Sequence, residues 1–293
     1  IIIGKKSVEK ATSIIRGSTN AKQEFYGERS DWGDFPDVVL HGKLADATSH
    51  KDYSAAKAGD HAAALRVVTD TMSKPAIEKL KAIIGNRKSI ALAVHANEDS
   101  GVNALPGAMA DVLGKVLGVD VDLNVVQSRK VGRTARNGFG RLAAQPSFDG
   151  DVRQDLPYVI MDDTLTQGGT LANLKGYIEN KGGKVIAATA LTGKQYSSKL
   201  SIDEQTLSKI RQQYEKSGLE NWWKEHFGYG FDKLTESEAR YLINAKDADK
   251  IRNRITEELK AGTTQEQHED AGGIGPIAPH VDTATKTANK GGF

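Results

Sequence analysis

The sequence predicts an α/β fold, a central parallel sheet flanked by helices with helical additions on its N- and C-terminal sides, and three observations carry that expectation. Short apolar runs of β type alternate with helix-period stretches from about residue 85 to about residue 195. Glycines stand where the helical stripes should stop, at Gly85, Gly118 and Gly182-Gly183. The flanking segments carry mainly helical stripes and capping signals.

The elements follow in order. Residues 1–53 are polar: 8–16 suits a short helix, 31–36 a loop, and 38–40 a short strand or turn. Residues 54–73 read as one helix, because Leu65, Val68 and Met72 fall on one face. A second helix is expected after Ser73, with Pro75 in its first turn and Ile77, Leu80 and Ile84 in a stripe. Then come strand 89–94, helix 106–117, strands 121–126 and 158–161, helix 171–180 and strand 184–191. Ser201-Ile-Asp-Glu204 and Thr235-Glu-Ser-Glu238 match capping boxes. Helical stripes follow at Leu207, Ile210 and Tyr214 and at Ile251, Ile255 and Leu259. Gly-, Thr-, Ala- and Pro-rich sequence at 262–293 predicts a flexible tail or linker. The expected division is therefore 1–84 (N-terminal segment and helices), 85–200 (α/β core), 201–261 (helical extension) and 262–293 (tail).

Composition narrows the function classes. A net charge of +2 over 293 residues makes no general electrostatic demand for nucleic acid. The absence of cysteine removes disulfides and thiolate metal sites and suits a reducing, cytoplasmic setting. No apolar run approaches the ~20 residues of a membrane span. Ile1-Ile-Ile3 is too short for a secretory signal, and a first residue other than Met suits a processed product or a piece of a longer protein. His41, His50, His61 and His226 show no metal-ligand spacing.

The chemistry concentrates in Tyr158-Val-Ile-Met-Asp-Asp-Thr-Leu-Thr-Gln-Gly-Gly-Thr-Leu171. A buried strand is expected to end at Met161, followed by the carboxylates of Asp162 and Asp163, a hydroxyl- and glycine-rich turn, and a helix. The first amides of a helix are unpaired and carry partial positive charge, and Gly168-Gly169 lets backbone wrap an anion. Carboxylates beside that cradle repel a bare phosphate. They suit the hydroxyls of a ribose, or the Mg²⁺ that accompanies a pyrophosphate. A ribose 5-phosphate satisfies both halves. The P-loop pattern, the dinucleotide G-x-G-x-x-G and the D-x-D-x-T phosphatase pattern are absent; Thr164 takes the second Asp position of the last.

Two further stretches belong with this one. His95-Ala-Asn-Glu-Asp-Ser-Gly101 follows strand 89–94 and offers backbone donors, although Glu98 and Asp99 do not suit direct contact with an anion. Residues 128–141 carry Arg129, Lys130, Arg133, Arg136 and Arg141 with three glycines and no acid, which suits a basic loop able to close over a leaving pyrophosphate. A plain solvated loop or a nucleic-acid patch fits the same run taken alone.

The 158–171 string resembles the phosphoribosyl pyrophosphate (PRPP) motif of type I phosphoribosyltransferases, and the likeness spans roughly residues 85–195. It implies that Asp162 and Asp163 hold the ribose hydroxyls, bind Mg²⁺ and act in catalysis. It implies a 5′-phosphate cradle of Thr164, Leu165, Thr166, Gln167, Gly168, Gly169 and Thr170. Pyrophosphate would meet His95, Ala96, Asn97, Arg129 and Lys130, with Arg133 and Arg136 as catalytic loop residues. Gln167 departs from the family's usual Thr. Thr166 stands where enzymes acting on 6-oxopurines often place an acid, which argues against that subclass. The implied reaction is displacement at ribose C1 by a nitrogenous acceptor, using PRPP and Mg²⁺, with the flanking segments choosing the acceptor. Self-association is left open. Two alternatives stand beside it: a non-catalytic PRPP- or nucleotide-binding regulatory module, and a phosphoribosyltransferase-like domain of a larger phage or mobile-element protein.

Overall fold

The computed structural model describes residues 28–94, 97–98, 101–128 and 137–271, with side chains for all of these except 97–98, 101–102 and 261–271. Five strands form one parallel sheet: β1 (Val39–Gly42), β2 (Ile90–Ala93), β3 (Asp120–Asp122), β4 (Tyr158–Leu165) and β5 (Val185–Gly193), in the order β1-β5-β4-β2-β3. Between β1 and β2 lie α1 (Leu44–Thr48), α2 (Tyr53–Lys57), α3 (His61–Thr71) and α4 (Lys74–Ile84). Then α5 (Leu105–Leu117) leads to β3, α6 (Gly138–Ala143) precedes β4, and α7 (Gly169–Asn180) joins β4 to β5. After β5 come α8 (Glu204–Tyr214), α9 (Leu219–Phe227), α10 (Glu236–Ala245) and α11 (Ala248–Ala271).

The alternation of side chains along a strand divides the core into two layers. Ala91, Ala93, Val159 and Met161 join a cluster with Val67 and Val68 of α3, Leu80 of α4 and Leu113 of α5. Leu92, Val94, Tyr158 and Ile160 join a second cluster with Leu171, Leu174 and Ile178 of α7. With helices on both faces, the strands read as continuous apolar runs, which is why they were legible. The crossover from β2 through α5 moves one way along the sheet, and that from β4 through α7 moves the other way. The reversal lies between β2 and β4, the position at which sheets of this kind generally bind ligands.

Several boundaries differ from the sequence expectation. Residues 54–73 form two helices, because Gly59 takes a left-handed φ of +104° and Asp60 then caps α3, accepting from the Ala63 amide. The expected strand 121–126 stops at Asp122, whose side chain accepts from the Asn124 amide at 2.8 Å and turns the chain. Val126–Gln127 instead pairs antiparallel with Phe148–Asp149. β4 runs four residues past Met161, so the acid pair lies within the strand rather than after it. Ser201 does not cap a helix: α8 starts at Glu204, and Ser201 bridges to Thr235. The Thr235-Glu238 capping box forms as expected. α11 extends to Ala271, past the point where apolar periodicity ends. The expected helix at 8–16 lies outside the described residues, as does 272–293.

The C-terminal helices build a third core from Trp223, Phe227, Phe231, Leu242, Ile251 and Ile255. Trp222 stacks on His226 at 4.1 Å. This unit reaches the α/β layer through a buried ion pair. The Arg29 guanidinium donates to both Glu238 carboxylate oxygens at 3.0 Å, and also to Asn173 of α7. Gly176 permits the approach: a Cβ there would meet the Glu28 carbonyl at 2.5 Å and the Arg29 Cα at 2.6 Å.

Candidate functional site

β2 makes its last pairing through Ala93 with Met161, and the Val94 amide donates to the Met161 carbonyl at 2.9 Å. From Asp162 onward β4 pairs only with β5, through Asp162 with Ala190, Thr164 with Thr192 and Leu165 with Gly193. The acid pair therefore stands on an overhanging strand, at the reversal point of the sheet. Across from it the chain leaves β2, and Asn97–Glu98 pairs with Gly101–Val102 in a small antiparallel hairpin where an open loop was expected.

The two carboxylates have different surroundings. Asp162 is half-buried, and its Oδ1 accepts from the Asp163 amide at 2.8 Å. Asp163 is buried, and its Oδ2 accepts from Asn103 Nδ2 at 2.9 Å and Lys57 Nζ at 3.1 Å. Asn103 is held in turn, its Oδ1 accepting from the Leu105 amide that opens α5. The Ala104 amide donates to the Ala56 carbonyl at 3.1 Å, which ties the end of α2 to the start of α5. That bond explains how Lys57 and Asn103 arrive together. The Asp163 carbonyl accepts from the Thr192 hydroxyl at 3.3 Å.

Beyond the acids the chain turns from β4 into α7. Leu165 packs its side chain in the core, so only its backbone is available to a ligand. Thr166 is exposed. Gly168 precedes α7 with φ +81°, and a Cβ there would collide with the Leu200 side chain, so the position requires glycine. The turn is gripped from outside: the Thr235 hydroxyl donates to the Gln167 carbonyl at 2.6 Å while accepting from the Glu238 amide at 3.0 Å. The Gln167 side-chain Oε1 is buried and has no hydrogen-bond partner. Gly169 and Thr170 open α7, whose first-turn amides lack helix acceptors by construction.

Residues 162–170 thus occupy the end of β4, the turn after it and the start of α7. Asn97 is described only in its backbone, at the hairpin. His95, Ala96, Arg129, Lys130, Arg133 and Arg136 lie outside the described residues. Arg141, expected in the basic loop, belongs to α6, where Asn137 accepts from the Gly140 amide and starts a helix. Sequence reading missed Lys57, which lies 106 residues from its partner Asp163. It also missed the second task of Thr235, whose cap was visible but whose bond to Gln167 was not. Among the described residues no group of three or more His, Asp or Glu side chains is placed to hold a metal ion by itself. No described helix is long and apolar enough to cross a membrane.

No family model matches the chain. It is 43% identical over 228 residues to Protein TraN of Escherichia coli, an alignment covering 78% of this chain and 51% of that protein. The chain thus spans about half of that relative's length. Among solved structures, adenine phosphoribosyltransferase from Thermoanaerobacter pseudethanolicus superposes with a TM-score of 0.28 at 22% identity, over 41% of this chain and 67% of the other. Hypoxanthine phosphoribosyltransferase from Staphylococcus aureus gives a TM-score of 0.32 at 13% identity, over 48% and 68%.

Proposed function

We propose that this chain binds PRPP with Mg²⁺ and transfers ribose 5-phosphate to a nitrogenous acceptor, releasing pyrophosphate. The observation that carries the reading is the acid pair on the overhang of β4, continuous with a glycine-capped helix start, at the reversal point of a parallel sheet. The opening turn of α7 would take the 5′-phosphate on its amides and on the Thr166 and Thr170 hydroxyls. Asp162 and Asp163 would accept from the ribose hydroxyls and so fix the ring with C1 turned toward the residues after β2.

The donor set fits Mg²⁺ in one particular manner. Two carboxylates are hard oxygen ligands but do not make a complete cage, so the ion would be shared between Asp162, Asp163, water and the oxygens of the ligand itself. Bound in that way it would neutralise charge on the departing pyrophosphate. We assign the cationic run Arg129, Lys130, Arg133 and Arg136 to the same leaving group, as donors that stabilise developing charge.

Titration calorimetry of PRPP into the protein, with and without Mg²⁺, tests the reading. Mg²⁺-dependent binding is expected, and it should disappear in the Asp162→Asn, Asp163→Asn double variant. A double variant that binds PRPP as the wild type does would refute the site. Release of pyrophosphate in the presence of nucleobases then separates transferase from binding module. The second reading, a non-catalytic module, draws on Asp163 already holding two donors and on Gln167 in the turn. We also keep the reading of the chain as one unit of a longer phage or mobile-element protein. That it spans about half of TraN supports the first part of it.

A further inference from the structure

Gly168 takes φ +81° and ψ 1°, the values of the third residue of a type II turn. The type I alternative differs by reversal of one peptide, here the one between Gln167 and Gly168, and needs a negative φ at the third residue. The C-terminal side of the chain acts on that peptide from outside. Leu200 closes the space beside Gly168, and the Thr235 hydroxyl donates to the Gln167 carbonyl at 2.6 Å. The direction of that hydroxyl is fixed. Thr235 Oγ1 accepts from the Glu238 amide at 3.0 Å, which leaves its single proton for Gln167, and the Thr235 amide donates to Glu238 Oε2 at 2.9 Å. In a trans peptide the carbonyl and the N–H point in opposite directions, and no described peptide bond is cis. With the Gln167 carbonyl turned toward α10, the Gly168 N–H therefore points away from the C-terminal unit. Gly168 is buried, and its amide donates to no described group. Buried amides rarely stay without an acceptor.

We propose that Thr235 is a positioning residue for the anion: by holding the Gln167 carbonyl outward, it keeps the Gly168 N–H aimed at the ligand's phosphate. The inference rests on the ribose-phosphate reading above. With the peptide reversed, a carbonyl oxygen would face the phosphate, and repulsion would replace a charge-assisted hydrogen bond. A helix cap thus sets the anion affinity of a turn that precedes it by 68 residues.

Two measurements on Thr235→Val and Thr235→Ser test this. The first uses ligand-free protein and follows the proton cross-relaxation between the Gln167 Hα and the Gly168 amide, which is strong in a type II turn and weak once the peptide reverses. It should weaken in Thr235→Val and return in Thr235→Ser. The second is calorimetric titration with ribose 5-phosphate, in which Thr235→Val should bind at least about tenfold weaker than wild type and Thr235→Ser about as wild type. Thr235→Ala takes the place of Thr235→Val should that variant fail to fold. Cross-relaxation that stays at the wild-type level in the variant lacking the hydroxyl, or an unchanged affinity there, would overturn the proposal. Failure of wild type to bind ribose 5-phosphate counts against the ribose-phosphate reading, whereas the ligand-free measurement judges the hold on the peptide by itself.

Discussion

Asp162 and Asp163 are neighbours in sequence, yet they differ in burial and in partners. The half-buried Asp162 and the buried, lysine-paired Asp163 therefore should not respond alike to substitution. Asp163→Asn leaves Lys57 without its carboxylate in a mostly buried position and should lower the melting temperature by several degrees, whereas Asp162→Asn should shift it by about a degree. Differential scanning calorimetry of the two single variants checks this, and equal shifts would contradict the assigned environments. His41 on β1 makes a separate residue-scale case. Burial pushes its imidazole down to about 4, its Nδ1 accepts from the Ser73 amide, and its Nε2 has no partner. The folded form thus holds the ring neutral, while the unfolded chain takes up a proton below its ordinary value of 6.5. Stability contributed by this residue is complete above pH 6.5 and is lost as pH falls toward 4, by about 3 kcal/mol in all. Urea unfolding at pH 7 and pH 4.5 should show that loss, and His41→Asn should reduce it. An unchanged pH slope in the variant would exclude His41 as its source.

At the scale of elements, the turn between β4 and α7 depends on a helix that begins 68 residues later in the chain. The capping box of α10 performs two tasks with one hydroxyl: Thr235 Oγ1 accepts from Glu238 and donates to Gln167. Thr235→Val should cost about 1–2 kcal/mol as a lost cap and also weaken ribose 5-phosphate binding, while Thr235→Ser should restore both. Thermal unfolding paired with calorimetric titration separates the effects. A loss of stability with unchanged affinity would confine Thr235 to capping. Gly168→Ala should do more damage, since φ +81° costs an L-residue roughly 1–2 kcal/mol and the added Cβ would push on Leu200.

For the whole molecule, the C-terminal helices are joined to the α/β core through Arg29 and Glu238, both almost completely buried. The pair also reaches Asn173 on α7 and Gln145 before β4, so N-terminal segment, core and C-terminal unit share one polar network. Arg29→Met would leave a buried carboxylate uncompensated and should cost about 3–5 kcal/mol; Arg29→Met with Glu238→Gln should recover part of it. Denaturant unfolding of the set measures the coupling, and a single variant within about 1 kcal/mol of wild type would show that the network does not join the units.

What the sequence determined by itself is what is written locally. The parallel-sheet strands show as apolar runs because both faces are covered, and the acid pair, the glycine turn and the start of α7 are consecutive residues whose chemistry needs no distant partner. The Thr235 cap was legible for the same reason, spanning one helical turn. Only the tertiary structure decided the rest. β1 joins the sheet at its edge beside β5, and α3 and α4 help to cover one face of the core, a placement that the sequence left open for the N-terminal segment. β4 continues past Met161 because β5 is long enough to pair with it, which no pattern within residues 158–165 records. Lys57 meets Asp163, and Thr235 meets Gln167, across separations of 106 and 68 residues. Periodicity and capping act over a few residues, whereas such pairings are fixed by how the layers stack, and that information is spread over the whole chain.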